Sequence, residues 1–192
     1  MTETITRLFD SYDRATLAMA ALRDHGFTDE QLSIIVRADG GPPISEEPTS
    51  AVGNGAEIGA GVGGVVGAGA GLLTGFGVMA IPGVGPVVAF GWLATTLAGA
   101  VAGAVAGAAG GGVIGSLMES GVEEGDAHVY AESIRRGGSL VTVRAPDGRA
   151  TEARLLLEEG LPVDPTLRGA ELRRDGWERF DPNAPFYTRP AS

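Results

Sequence analysis

The stretch IGAGVGGVVGAGAGLLTGFGVMAIPGVGPVVAFGWLATTLAGAVAGAVAGAAGGGVIGSLM, residues 58–118, decides how the rest of the chain can be organised. Its 61 residues contain no charged side chain; 19 of them are glycine and 13 are alanine. Uncharged apolar runs of about 18 residues or more are typical of membrane spans, and this run is long enough for two. It predicts a hydrophobic α-helical hairpin inserted into a polar domain.

The motif IPGVGP predicts the turn of this hairpin, because proline removes a helix hydrogen-bond donor and glycine favours turns. The turn residues are Pro82, Gly83, Gly85 and Pro86. The arms on either side are Ile58–Ile81 and Val87–Met118. As helices they would be about 36 Å and about 48 Å long, and each exceeds a hydrocarbon core of about 30 Å.

Glycine recurs at every fourth position in both arms, which predicts a glycine zipper. Residues i and i+4 share a helix face, and two faces without side chains let helix backbones approach closely. The predicted helix-packing and oligomerisation residues are Gly59, Gly63, Gly67, Gly71, Gly75, Gly99, Gly103, Gly107, Gly111 and Gly115. In water each glycine costs about 1 kcal/mol relative to alanine in a helix. Membrane insertion, or burial inside a soluble oligomer, would offset this cost; a flexible linker is disfavoured because linkers are rich in polar residues.

The segment before the insert predicts a strand, a helix and a second strand. The strands are Thr4–Phe9 and Leu32–Val36, and the second is apolar enough to be central. The helix is Tyr12–Arg23, with Ser11 as its N-cap and Gly26 just beyond its C-terminus.

The segment after the insert predicts a helix over Glu119–Arg136, a strand over Ser139–Ala145, a helix over Ala150–Glu159 and a short strand over Leu161–Val163. Together the two flanks give a βαβ unit, an insertion and a second βαβ unit. This order predicts an α+β fold with a split ferredoxin-like domain. The predicted organisation is a first half at 1–38, a Pro/Gly/Ser linker at 39–57, the hairpin at 58–118, a second half at 119–165 and a tail at 166–192.

The tail has neither a helical nor an alternating period, so we predict an extended segment. Its aromatic residues predict docking on its own subunit or a neighbouring one, and a partner-binding motif is the alternative. These residues are Trp177, Phe180, Phe186 and Tyr187.

Composition excludes several classes of function. The chain has 24 acidic and 14 basic residues, a net charge of −10, which disfavours nucleic-acid binding. All basic residues are arginine, and cysteine is absent, which removes lysine and cysteine chemistry. The match Gly59, Gly61 and Gly64 to GxGxxG follows a polar linker and has no acidic residue about 20 positions on, so it indicates no dinucleotide site.

Acidic residues also surround one of the two histidines. They are Glu123, Glu124, Asp126 and Glu132. His128 and Glu132 are four residues apart and could meet on one helix face. A solvated helix face is the favoured interpretation. We therefore predict no catalytic, cofactor-binding or metal-binding residues, no cofactor and no enzymatic activity.

Two long stretches resemble the bacterial general stress proteins, which include heat-induced and low-temperature-induced members. They are LFDSYDRATLAMAALRDHGFTDEQLSIIVR at 8–37 and GVEEGDAHVYAESIRRGGSLVTVRAPDGRATEARLLLEEG at 121–160; FDPNAPFY at 180–187 resembles extensions of some relatives. The resemblance implies a bacterial origin, a split α/β domain and a stress context. It implies no active-site residues.

These observations predict a stress-associated structural or membrane protein that self-assembles through its hairpins in or on the inner membrane. The N-terminal residues show no secretory signal, so both polar flanks are expected in the cytoplasm. The expected partners are other copies of the chain and membrane lipid. The alternatives are a cytoplasmic, soluble homo-oligomer with the hairpins at its core, and a ferredoxin-like sensor of an unknown small molecule.

Overall fold

Strands that are apolar on both faces form the centre of the fold. The computed structural model describes residues 2–39, 77–81, 83–94, 96, 113–185 and 187. It is a mixed α/β fold whose strands are β1 (Glu3–Phe9), β2 (Leu32–Arg37), β3 (Gly77–Ile81), β4 (Gly85–Gly91) and β5 (Ser139–Ala145). Every pairing is antiparallel, and the strand order is β1-β5-β2-β4-β3. The central position of β2 agrees with its nearly continuous apolar sequence.

Helices cover both faces of this sheet. They are α1 (Tyr12–Asp24), α2 (Val113–Glu119), α3 (Glu124–Arg135), α4 (Ala150–Glu158) and α5 (Pro165–Arg174). The predicted cap of α1 is confirmed, because the Ser11 hydroxyl accepts a hydrogen bond from the Arg14 amide at 3.4 Å. Gly26 follows α1 with φ at +80°, a conformation that glycine adopts readily.

Each face of the sheet has its own apolar core. On one face α1 and α4 pack over Phe9, Ile34 and Val141. On the other face α2 and α3 pack over a set that includes Ile35 and Leu140. Because strand side chains alternate between faces, adjacent residues such as Ile34 and Ile35 stabilise different layers. The domain is therefore three-layered, with helices on either side of an antiparallel sheet.

The prediction of helix throughout the insert is wrong for residues 77–81 and 85–91, which are strands β3 and β4. The turn between them is a tight β-hairpin connection, in which the Val84 amide donates to the Ile81 carbonyl at 3.0 Å. Pro86 belongs to β4 and is exposed. Short uncharged apolar runs fit a buried strand as well as a buried helix, and the β-branched pair Val87 and Val88 favours the strand.

Most of the predicted zipper lies outside the described residues. Gly59, Gly63, Gly67, Gly71, Gly75, Gly99, Gly103, Gly107 and Gly111 belong to that part of the chain, as do Pro82 and Phe186. Gly115 lies in α2 and is half-buried.

Three further predictions need correction. The helix expected at 119–136 is α3, which begins only at Glu124, because α2 ends at Glu119 and Gly121 between them has a φ of +94° that interrupts helical geometry. The tail is not extended throughout, because Asp164 caps α5 by accepting from the Thr166 amide at 2.7 Å. The last strand is reduced to one bridge, in which the Val163 amide donates to the Leu8 carbonyl at 2.7 Å.

Gly91 offers a direct test that β4 belongs to the sheet. Its φ is +85°, and a Cβ there would overlap the carbonyl oxygen of Leu32 on β2. Gly176 has the same φ of +85°, with open space around it. We expect Gly176→Ala to lower the free energy of unfolding by about 1–2 kcal/mol through the left-handed backbone alone. Gly91→Ala should cost clearly more, because two backbones must also separate.

Urea denaturation of the two variants measures the difference. Equal losses of stability would contradict the close approach of β4 to β2.

Candidate functional site

The edge hairpin brings the two Gly/Ala-rich segments of the insert to one place on the domain. Gly77, the first residue of β3, pairs with Ala89, and Gly91 ends β4 two residues later. Neighbouring strands lie about 4.8 Å apart. The chain therefore enters β3 and leaves β4 at the same end of the sheet. Residues 58–76 lead into β3 at this shared end, and residues 97–112 follow β4 after five intervening residues.

The second segment is also attached to the same core at both of its ends. Leu93, just after β4, and Val113, at the start of α2, are both buried in the core formed by α2 and α3. The described residues on either side of 97–112 therefore pack on the same face of the sheet.

These attachments overturn the transmembrane hairpin in the form that we predicted. That hairpin needs residues 82–86 on the far side of a bilayer from both polar flanks, whereas residues 83–86 lie within the folded domain. None of the helices in the described ranges combines the length and the hydrophobicity that a bilayer crossing requires.

The C-terminal segment covers the β3–β4 turn. Phe180 is 4% exposed and packs in the core beneath α3. At Gly83, φ is +76°, and a Cβ would lie 2.6 Å from both the Asp181 carbonyl oxygen and the Pro182 Cα. Only glycine lets the two chain segments cross so closely. Trp177 is half-buried, and its amide donates to the Leu172 carbonyl at 3.0 Å.

Three arginines hold the end of this segment. Arg37 donates through Nη1 to the carbonyls of Arg135 at 2.7 Å and Tyr187 at 2.9 Å. Arg135 donates to the Pro185 carbonyl at 2.7 Å, and the Arg136 guanidinium lies 5.3 Å from the centre of the Tyr187 ring. Two of the four aromatic residues predicted to dock, Phe180 and Tyr187, thus contact their own domain.

The interpretation of the acidic residues as a solvated helix face is wrong for Glu132. Its residue is 0% exposed, and its carboxylate accepts from Arg136 Nε at 2.7 Å and Arg135 Nη1 at 3.1 Å. Glu132 does not pair with His128, whose Nε2 instead lies 3.8 Å from a Glu124 oxygen. Burial, and then the positive charge of Arg179, lowers the pKa of His128. The structure therefore joins Glu132 to the arginines that hold the tail.

Neutralising Glu132 should destabilise the domain. Glu132→Gln keeps the size of the side chain but removes the buried carboxylate that two partly buried guanidinium groups share, and Arg136 keeps Asp175 at 3.5 Å. We expect a loss of about 1–3 kcal/mol in the free energy of unfolding. Glu124→Gln, on the same helix but exposed, should cost less than about 1 kcal/mol. Chemical denaturation compares the two variants, and equal effects would rule out a special role for the buried carboxylate.

A polar cavity of about 220 Å³ lies at the other end of α3. Its walls come from β1, the loop between α2 and α3, and α3 itself. The lining includes Thr4, Thr6, Val122, Glu123, Asp126 and Tyr130. Asp126 and Tyr130 are one helical turn apart, so they share a face. Helical side chains lean toward the N-terminus, which directs Tyr130 toward Asp126 and the cavity.

The two titratable groups on this wall are both perturbed. Burial, assisted by the charge of Asp126, raises the pKa of Tyr130 to about 12. Burial, with the negative charges of Glu123 and Asp164, raises the pKa of Asp126. Tyr130 is 5% exposed, and its hydroxyl makes no hydrogen bond to any residue that the structure describes. Sequence reasoning did not find this site, because Tyr130 reads as an ordinary apolar-face residue of its helix.

Tyr130 predicts a specific loss of stability at alkaline pH. Its pKa is 10.0 in the unfolded chain and about 12 in the fold, so the folded state binds more protons between these values. The resulting stabilisation is complete below pH 10 and is lost as the pH rises through about 12. Tyr130→Phe should show a shallower decline of unfolding free energy over this window. The phenolate absorbance of the unchanged protein minus that of Tyr130→Phe reports Tyr130 alone, and this difference should titrate near pH 12. A midpoint near pH 10 would contradict the burial of Tyr130.

Within the described residues, no group of three or more histidine, aspartate or glutamate side chains is arranged to hold a metal ion. Comparison with protein families, with curated proteins and with solved structures finds no match to this chain.

Proposed function

We propose that this protein is a structural protein of the bacterial stress response that self-assembles through residues 58–76 and 97–112 at the inner-membrane surface. Its α/β domain lies on the cytoplasmic side. The observation that carries the proposal is the pairing of Gly77 with Ala89, which attaches both Gly/Ala-rich segments to the same end of the sheet. The stress context rests on the resemblance of residues 8–37 and 121–160 to the general stress proteins.

Close attachment favours contact between the two segments or with those of other copies. Residues 58–76 carry the five glycines spaced by four of the first arm, and 97–112 carry four of the five of the second. Surfaces without side chains gain stability from close backbone approach, and a shared attachment point lowers the entropy cost of bringing them together. Copies of the chain supply further matching surfaces.

The attachment also limits how the insert meets a membrane. A helix over residues 97–112 would be about 24 Å long, shorter than a hydrocarbon core of about 30 Å. Since both ends of this segment return to one face of the domain, it has no room to cross a bilayer and come back. A segment that enters the interface, or packs against other copies there, is consistent with these ends.

We also propose that the domain is an interrupted split βαβ fold of the ferredoxin-like kind. Three features support it. β5 lies between β1 and β2, antiparallel to both. Val163 bridges to Leu8 on the free side of β1. The helices α1 and α4 pack together on one face of the sheet. The β3–β4 hairpin then extends this arrangement beyond β2.

Bulky side chains in the zipper positions should break the assembly and leave the domain folded. Gly67→Leu and Gly107→Leu each place a large side chain on a glycine face, so we expect smaller particles than for the unchanged protein. Gly125→Leu is the matched control, because Gly125 lies in α3 with open space where a side chain would extend. Analytical ultracentrifugation gives the particle mass, and circular dichroism checks the fold.

Carbonate washing of the membrane fraction separates the two settings for assembly. Retention of the unchanged protein in the membrane pellet supports assembly at the membrane. A large particle that stays in solution without detergent would instead support the soluble oligomer and contradict assembly at the membrane. Unchanged particle mass in both glycine variants would overturn assembly through these segments. Deleting 58–118 is not a suitable control, since it also removes β3, β4 and α2.

A further inference from the structure

We infer that the cavity between β1 and α3 binds a small organic cation, a primary amine on a short alkyl chain, through Asp126, Glu123 and the hydroxyl of Tyr130. The cavity volume of about 220 Å³ corresponds to about seven water molecules at about 30 Å³ each. An aliphatic amine of six to ten non-hydrogen atoms is of this size.

The charges around the cavity favour a cation. Two arginines also line the cavity, and both already have partners: Arg154 pairs with Glu3, and Arg7 lies 3.7 Å from a Glu158 oxygen. Asp126 and Glu123 form no ion pair with any residue in the described ranges. Asp126 and Glu123 thus line this polar space without an ion-pair partner among the described residues, and a bound cation would relieve their repulsion.

Tyr130 gives independent support for a ligand in this space. The residue is 5% exposed. It lines the cavity, and no described residue forms a hydrogen bond with its hydroxyl. This hydroxyl is not one of the fully buried polar atoms that lack a partner, so it is open to the cavity, where a ligand can reach it and form a hydrogen bond. A protonated phenol accepts a hydrogen bond from an ammonium group, and the high pKa of Tyr130 keeps it protonated at neutral pH.

The shape of the site favours an amine over a bare metal ion. The described residues offer no set of three converging ligands for a metal. An ammonium group needs only two or three acceptors, which the carboxylates and the phenol provide. Val122 supplies an apolar wall for the alkyl chain.

Isothermal titration calorimetry of the full chain with 1,4-diaminobutane tests the site, with succinate as the four-carbon dianion of similar length. In buffer containing 0.15 M NaCl, we expect the diamine to bind and succinate not to bind. Asp126→Asn should weaken diamine binding about tenfold or more, because a charge-assisted hydrogen bond is lost. Tyr130→Phe should weaken it about threefold to tenfold while the ring still fills its place.

Asp13→Asn is the matched control. Asp13 lies in the first turn of α1, as Asp126 lies in the first turn of α3, but it is exposed and outside the cavity. We expect Asp13→Asn to bind the diamine with the same affinity as the unchanged protein. Equal weakening by Asp13→Asn and Asp126→Asn would show attraction to the overall charge of −10 and overturn the site. The site would also be overturned if succinate bound more tightly than the diamine, or if the diamine did not bind at millimolar concentration.

Circular dichroism excludes misfolding as the cause of weaker binding, and Tyr130→Phe provides a second variant if Asp126→Asn does not fold. Amine binding is independent of assembly. Gly107→Leu should therefore retain it, which distinguishes failure of this site from failure of the proposed function.

Discussion

The pairing of β4 with β2 is the constraint on which the rest of this structure depends. Every residue from Leu32 to Val36 is fully buried, with side chains on both faces of the sheet. A strand of this kind at a sheet edge would offer unpaired backbone groups beside apolar side chains, which promotes aggregation. β5 covers one side of β2, and β4 from the glycine-rich insert covers the other. The insert is therefore part of the fold and not an appendage to it.

The hairpin that contains β4 also contributes to the core on the sheet face covered by α2 and α3. Ile81 and Val87 come from the hairpin, Val113 and Leu117 come from α2, and Phe180 comes from the C-terminal segment. These residues are far apart in sequence, so this core requires long-range contacts whose formation costs loop entropy. The missing side chains of Gly83 and Gly91 permit two close backbone approaches. Glycine in the described part of the insert thus serves packing inside the domain, whatever the role of the repeated glycines elsewhere.

Local signals in the sequence were sufficient for much of the polar flanks. Ser11 and Gly26 mark the ends of α1, and Ser139–Ala145 is the predicted strand without change. The insert was harder, because an uncharged run rich in valine and glycine fits a buried strand and a membrane helix equally well. Asp164 followed by Pro165 is a helix-start signal, and the prediction of an extended tail did not take it into account. The cavity had no signal in the sequence, since β1 and α3 are more than a hundred residues apart.

Two carboxylates on one helix show how the fold treats buried charge. Glu132, near the C-terminal end of α3, is surrounded by Arg135 and Arg136 and has a structural role. Asp126, near the N-terminal end, gains some stabilisation from the helix dipole but has no arginine partner among the described residues. The first charge is satisfied within the chain, and its arginines also hold the tail. The second remains beside a space large enough for a ligand. A protein with only 14 basic residues to balance 24 acidic ones cannot pair every carboxylate, and Asp126 is the one whose position beside a cavity favours the cation that we infer.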